Sequence, residues 1–138
     1  MLETSYRSTT YFVDHPGGAF GIRLGEACAR LDALLTAHGT SCWAYVTACN
    51  PHSQRLPDAD NAARHAELLA RVQAAGHVFY PGRGTPDSGD WKPEQSLFIL
   101  GLDEAAALRL GAYFGQNAVV VGRAGGCAEL RWCAGEEG

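Results

Sequence analysis

Apolar positions in this chain gather in short clusters, and their spacing changes from two residues to about 3.6 and back. Thr9 to Asp14 (TTYFVD) is rich in β-branched and aromatic residues and reads as a strand. His15-Pro16-Gly17-Gly18 is turn chemistry. Phe20 to Leu24 alternates and pairs back as a hairpin. Gly25 releases the chain into a helix from Glu26 to His38, with Ala27, Leu31, Leu34 and Leu35 at helical spacing and Gly39 where a left-handed C-cap would sit. Ser41 to Ala48 (SCWAYVTA) is nearly all apolar, as expected for a strand buried on both faces. Asn50-Pro51 ends it. Asp58 or Asp60 can cap a second helix, Asn61 to Ala75, whose apolar stripe is Ala62, Ala66, Leu69 and Val72 and whose stop is Gly76. His77 to Tyr80 is a short strand, followed by a long polar loop, Pro81 to Gln95. Ser96 to Leu100 is the next strand. Asp103 caps a third helix that ends near Gly115. Ala118 to Gly122 and Ala128 to Trp132 close the chain as strands joined at Gly125-Gly126.

Helices repeatedly link strands in this order, which predicts an α+β (α/β-type) fold: a mixed sheet of about six or seven strands with three helices packed on it. The terminal hairpins argue against a purely parallel sheet. No repeat or linker divides the 138 residues, so a single domain with its core at about residues 9–133 is expected.

Composition narrows the function classes. The apolar share of 46% supports a real core. The net charge is −4, and the 11 Lys and Arg include one lysine, Lys92, so no extended nucleic acid is expected as partner. The longest apolar runs are far shorter than the roughly 20 residues of a membrane span, and no signal-like segment opens the chain, so no membrane partner and a cytoplasmic location are expected. Cys28, Cys42, Cys49, Cys127 and Cys133 are odd in number and form no CxxC pair, which suits reduced thiols and no metal site. The glycine-rich pieces PGRGTPDSG and GRAGG lack the strand-to-helix context of a phosphate-binding loop, and no cofactor is expected.

Three polar segments carry candidate chemistry. The first, Thr47-Ala48-Cys49-Asn50-Pro51-His52-Ser53, follows the most apolar strand and offers an amide, an imidazole and a hydroxyl. His52 suits a general base because free imidazole titrates near neutrality. Turn chemistry explains every other residue of Asn50 to Ser53 equally well. The second segment holds Trp91 and Glu94, where a carboxyl beside an aromatic wall suits acid–base work. Its structural alternative is a carboxylate bonded to loop backbone. The third, Gln116-Asn117, either turns a helix into a strand or reads a polar ligand. Asn61 and Arg64 open the second helix, where free N–H groups and a guanidinium suit a small anion. Cys49 stands three residues before His52, yet nearness in sequence does not make a Cys–His pair. The first segment follows a strand while the others precede strands, so all three converge only if the strands are not all parallel or the long loop folds back.

The segments TTYFV, GIRLGE, TACNPHSQ, DNAARHAEL, WKPEQSLFILGL and FGQNAVVVG resemble, in that order, an uncharacterised bacterial family catalogued as domain of unknown function 3293. The resemblance covers roughly Thr9 to Leu130. It implies signature positions at Thr47, Asn50, Pro51, Ser53, Asn61, Trp91, Glu94, Ser96, Gln116 and Asn117, and it brings no activity. Cys49 stands where the resemblance leads one to expect an aromatic residue.

Two functions are compatible with these residues. One is a site for a small polar metabolite, nucleotide-like or amino-acid-like, formed by Asn50, His52, Ser53, Asn61, Glu94, Gln116 and Asn117, with Glu94 or His52 moving the proton if it is catalytic. The other is a non-catalytic interaction module that binds a protein partner, or itself as a homodimer, through an exposed sheet edge. The first requires Asn50, Glu94 and Gln116 around one hollow.

Overall fold

The protein's structure, a computed structural model, describes residues 2–87 and 92–133. Its elements run α1 (Leu2–Arg7), β1 (Thr9–Val13), β2 (Phe20–Ile22), α2 (Ala29–Ala37), β3 (Cys42–Thr47), α3 (Asp58–Ala74), β4 (Phe79–Pro86), β5 (Glu94–Leu100), α4 (Glu104–Tyr113), β6 (Ala118–Arg123) and β7 (Glu129–Trp132), with a short 3-10 turn at Pro51–Ser53. The seven strands form one sheet in the order β2-β1-β4-β5-β3-β6-β7. The α+β class is as the sequence predicts. The sheet is not mixed as expected, because every pairing of neighbouring strands is antiparallel. The parallel component shrinks to one bridge, Leu24 to Ala128.

That bridge joins the two edges of the sheet. Gly25 N–H donates to Ala128 O at 2.8 Å and Ala128 N–H donates to Glu26 O at 3.2 Å. The sheet therefore curls until its first and last strands meet, the usual way an antiparallel sheet removes its open edges. Phe20 on edge strand β2 consequently touches Phe98 on β5, three strands away, with ring centroids 6.2 Å apart.

Alternation along each strand divides the core in two. Val13, Trp43, Phe98 and Leu100 point into the curl, where Leu31 and Leu35 of α2 join them. Ala44, Val46, Leu97 and Ile99 point outward beneath Leu68 and Val72 of α3 and Ala107 of α4. Burying Leu31 and Leu35 side chains of this kind stabilises by roughly 1.5–3 kcal/mol each. Asp103 caps α4 as expected, its Oδ1 accepting from Ala106 N–H at 2.8 Å. Gly39, at φ 67°, takes the left-handed conformation expected after α2. Among the described residues no helix is long and apolar enough to cross a membrane.

Four local expectations change. The residues Pro81 to Pro86, read as the first part of a loop, extend β4 to eight residues between β1 and β5. Pro81 is tolerated because Asp14 N–H donates to its carbonyl. In an antiparallel strand the N and C=O of one residue face the same side, so the missing donor falls beyond the last β1 pair and no ladder bond is lost. The buried face of α3 is Leu68 and Val72, whereas Ala62 and Ala66 are exposed. Neither Asp58 nor Asp60 caps α3. Pro57 occupies that position without a side-chain bond, and both acids lie inside the first turn, where they suit the helix dipole. Finally, α1 was not foreseen: Leu2 to Arg7 is too short to display a period.

Gly82 explains how the interior is packed. A Cβ there would lie 2.5 Å from Tyr45 Oη and 2.6 Å from Phe12 O, and Tyr45 Oη donates to that same carbonyl at 2.7 Å. The glycine lets a phenol lie across bare strand backbone. We expect Gly82→Ala to cost about 1–3 kcal/mol by overpacking. Urea unfolding measures this, and an alanine variant as stable as the parent contradicts the packing.

Candidate functional site

Antiparallel pairing brings the polar segments together. The end of β3 lies beside the beginnings of β5 and β6, so a segment that follows one strand meets segments that precede two others. Thr47 pairs with Ser96, and Gly84 pairs with Glu94. On the inward face of β5, polar Glu94 and Ser96 give way to apolar Phe98 and Leu100. On β3 the inward order is Trp43, Tyr45, Thr47. The interior is thus apolar at one end and polar at the other.

The turn after β3 fixes the polar end. Asn50, His52 and Ser53 have φ of 48°, 55° and 60°. Asparagine accepts this left-handed conformation readily; histidine and serine do so less often. The turn is closed from within by Ser53 N–H, which donates to Asn50 O at 3.0 Å, and held from outside by His52 N–H, which donates to Gly115 O at 2.8 Å. Asn50 itself is buried. Its N–H donates to Asn61 Oδ1 at 2.9 Å. Its Oδ1 accepts from Leu56 N–H at 2.8 Å and from Asn61 Nδ2 at 2.9 Å. Its Nδ2 then donates to Glu94 Oε2 at 2.8 Å. Backbone N–H groups are donors only, so they fix which end of each amide is oxygen and which is nitrogen. The carboxyl of Glu94 is therefore faced by a donor whose orientation the backbone dictates.

Above this network lies a cavity of about 490 Å³, lined by Glu94, Asn50, Gln116, Asn117, Ser53 and Thr47. Ser96, Thr9, Tyr6, Tyr11, Tyr45, Val119 and Val120 also line it, with Thr4, Ser5 and Ser8 at the α1 side. Helix α1 lies across its mouth. Tyr6 packs edge-on to Trp132 of β7 with centroids 5.8 Å apart, while its carbonyl accepts from Tyr11 Oη at 3.1 Å. Tyr11 and Tyr45 meet edge-on at 5.3 Å. A second hollow of about 180 Å³ lies on the other side of the Asn50–Glu94 contact, lined by Cys49, Arg55, Asp58, Asn61 and Lys92.

The residues singled out from sequence divide into two groups. Thr47, Asn50, Ser53, Glu94, Gln116 and Asn117 share the larger cavity. Gln116 Nε2 donates to Cys49 O at 3.0 Å and Asn117 Nδ2 donates to Ser53 Oγ at 2.9 Å, so both amides also close the turn. Asn61 stands behind Asn50 and lines only the smaller hollow. Arg64 lines neither hollow. It donates to Ala48 O at 2.6 Å and to Phe114 O, tying the end of β3 to the end of α4. His52 is exposed and lies outside the cavity lining. Cys49 is buried, and burial pushes its thiol pKa up, the opposite of an activated nucleophile. Trp91 lies outside the described residues. Among the described residues no group of three or more His, Cys, Asp or Glu side chains is placed to hold a metal ion.

Tyr6, Tyr11, Tyr45 and Thr9 were missed. Tyrosine is a common strand residue, so nothing marks it as unusual in TTYFV or SCWAYV. A period-two reading of which positions share a face with Thr47 would have found Tyr45. Burial, then the charge of Glu94, pushes the Tyr6 phenol from 10.0 up to about 12. Burial raises Tyr11 and Tyr45 as well.

A curled antiparallel sheet with a polar hollow at one end is the class of protein that fold and site define. The family described as "Protein of unknown function (DUF3293)" matches residues 46–119, more than half of the chain, and the chain belongs to that family. The match is shorter than the resemblance over residues 9–130 and includes the whole Asn50–Asn61–Glu94 network but none of the three tyrosines. No curated protein and no solved structure matches the chain.

Asn50→Ala removes the acceptor of Leu56 N–H and Asn61 Nδ2 and the donor to Glu94, and places alanine at positive φ, so we expect a loss of about 2–4 kcal/mol by urea unfolding. Asn50→Asp keeps the acceptor but sets a second carboxylate against Glu94. Its deficit is expected to shrink as the pH falls and one of the pair takes up a proton. The tyrosines predict the opposite limb. The folded state favours the neutral phenol of Tyr6, so this stability is intact below the ordinary value of 10.0 and is lost as the pH climbs towards about 12. Tyr6→Phe should make that alkaline decline shallower, and an unchanged slope contradicts the burial of the phenol.

Proposed function

We propose that the cavity inside the curled sheet binds a small polar molecule. The observation that supports this reading most is that polar side chains from widely separated stretches, Asn50, Glu94 and Gln116, surround one cavity of about 490 Å³. That volume lies within the range of roughly 300–1,000 Å³ usual for small-molecule sites. A few directed polar groups and a largely aromatic and aliphatic remainder are also usual there. In a catalytic form of this reading Glu94 moves the proton, because it is the titratable carboxyl in the lining and its orientation is set by Asn50. His52 is a weaker choice, being exposed and outside the lining. A module that binds a partner through an open sheet edge is less well supported, since the Leu24–Ala128 bridge brings the two edges together.

A thermal-shift screen against a metabolite library tests the reading. Ligand at a hundredfold excess over its Kd should raise the melting temperature by roughly 5–10 °C. Two variants separate the cavity from other surfaces. Glu94→Gln removes the carboxylate. Thr4→Trp, at an exposed α1 position that borders the cavity, obstructs it without touching the Asn50 network. Hits that vanish in both variants are expected. Hits indifferent to both would move the assignment to an interaction surface.

A further inference from the structure

We infer that the ligand carries a protonated amine or guanidinium group, seated against the Glu94 carboxylate. This inference rests on the reading of the cavity as a small-molecule site and goes beyond it to the chemical class of the occupant.

Two independent features of the lining carry it. The first is charge. Among the described lining residues Glu94 is the one charged side chain, and no Lys, Arg or His accompanies it. Arg55 and Lys92 lie across the Asn50–Glu94 contact and line the smaller hollow instead, Lys92 beside Asp58 at 3.1 Å, while Arg64 is engaged with backbone carbonyls, Arg23 with both oxygens of Asp87 at 2.9 and 3.0 Å, and Arg83 with Asp14. A phosphate or carboxylate ligand would have to leave water for a cavity with no cation among its described lining residues to receive it, which is costly. An ammonium group meets a carboxylate instead. This revises the expectation of a nucleotide-like ligand, whose phosphates would find no partner.

The second feature is the direction of the hydrogen bonds. Tyr11 and Tyr45 donate their hydroxyl protons to the carbonyls of Tyr6 and Phe12. Thr47 and Ser96 donate to the carbonyls of Gln95 and Glu94. Gln116 Nε2 donates to Cys49 O and Asn117 Nδ2 to Ser53 Oγ. The hydroxyl protons of Tyr11, Tyr45, Thr47 and Ser96 are thus committed to the protein, and these four oxygens are left with lone pairs. Together with the Glu94 carboxylate, these four acceptor oxygens complement a ligand that brings N–H donors. The same tyrosines stay uncharged well above neutral pH, and their rings attract cations further.

Calorimetric titration with matched small molecules reads this out. Phenethylamine is compared with 2-phenylethanol and phenylacetate, and glucosamine with glucose and gluconate. In at least one set the amine is expected to bind at least about tenfold more tightly than its neutral and anionic counterparts, the size of effect a paired buried charge gives. The preference should collapse in Glu94→Gln, persist in Glu94→Asp, and the binding itself should fail in Thr4→Trp. Equal or tighter binding of the neutral or anionic members, blocked by Thr4→Trp, overturns the amine inference and leaves the cavity reading standing. A preference for amines that survives Glu94→Gln overturns it too. If no member of either set binds, the inference also falls, and the cavity reading is judged by the broader metabolite screen alone.

Discussion

The side-chain amide of Asn50 joins three parts of the chain that share no secondary structure. Its oxygen takes the Leu56 N–H and the Asn61 amide; its nitrogen gives to Glu94. No other residue type meets all of these demands. Aspartate has the acceptor but not the donor, glutamine is a methylene too long, and glycine suits the left-handed backbone but has nothing to bond. Because Asn50 N–H and Leu56 N–H are fixed donors, the polarity of both amides follows from the backbone, and so does the donor facing Glu94. The two residues beyond Pro51 are also at positive φ, an accumulation of strain that only a surrounding structure with several independent anchors can hold. Gly115, Gln116 and Asn117 supply those anchors from the other side of the cavity.

Antiparallel topology makes this convergence possible. The difficulty posed by the sequence, a segment after one strand and two before others, disappears once neighbouring strands run in opposite directions. Curling of the sheet then turns one shared end into a hollow. Its inward face changes along β5 from Glu94 and Ser96 to Phe98 and Leu100, and α2 joins the apolar end. The polar end cannot be filled by the same means. Apolar side chains pushed against Asn50 and Glu94 would leave their polar atoms unpaired, at about 1–3 kcal/mol for each group.

Features set by a few adjacent residues were legible in the sequence. Asp103 before a helix, Gly39 after one and the apolar run of β3 each carry their own physical cause. Features set by distant partners were not. The run PGRGTP reads as turn chemistry because glycine and proline usually punctuate. Here the glycine is needed by Tyr45 from two strands away, and the proline lies where β1 has already ended. The face of α3 was misread because Asn61 and Arg64 turn inward to bond the Asn50 turn and the end of β3, which breaks the apolar stripe. Those two residues drew notice as ligand-binding groups on residue type alone. The structure uses both as struts, an outcome that residue type does not distinguish from contact with a ligand.

A core selected for stability alone would close this hollow, since interiors pack at the density of organic crystals and unfilled volume costs contacts. The chain does the reverse. Gly82 keeps β4 thin where the phenol of Tyr45 crosses it, and Ser96, 2% exposed, stands where a larger apolar residue would fill space. Helix α1 contributes Tyr6 to the cavity lining, its ring packed edge-on against Trp132. The glycine and the serine give up packing, and Tyr6, Tyr11 and Tyr45 keep phenolic oxygens and rings at the same volume. Local departures from the stable solution that agree in direction are what the proposed reading of this hollow as a binding site predicts.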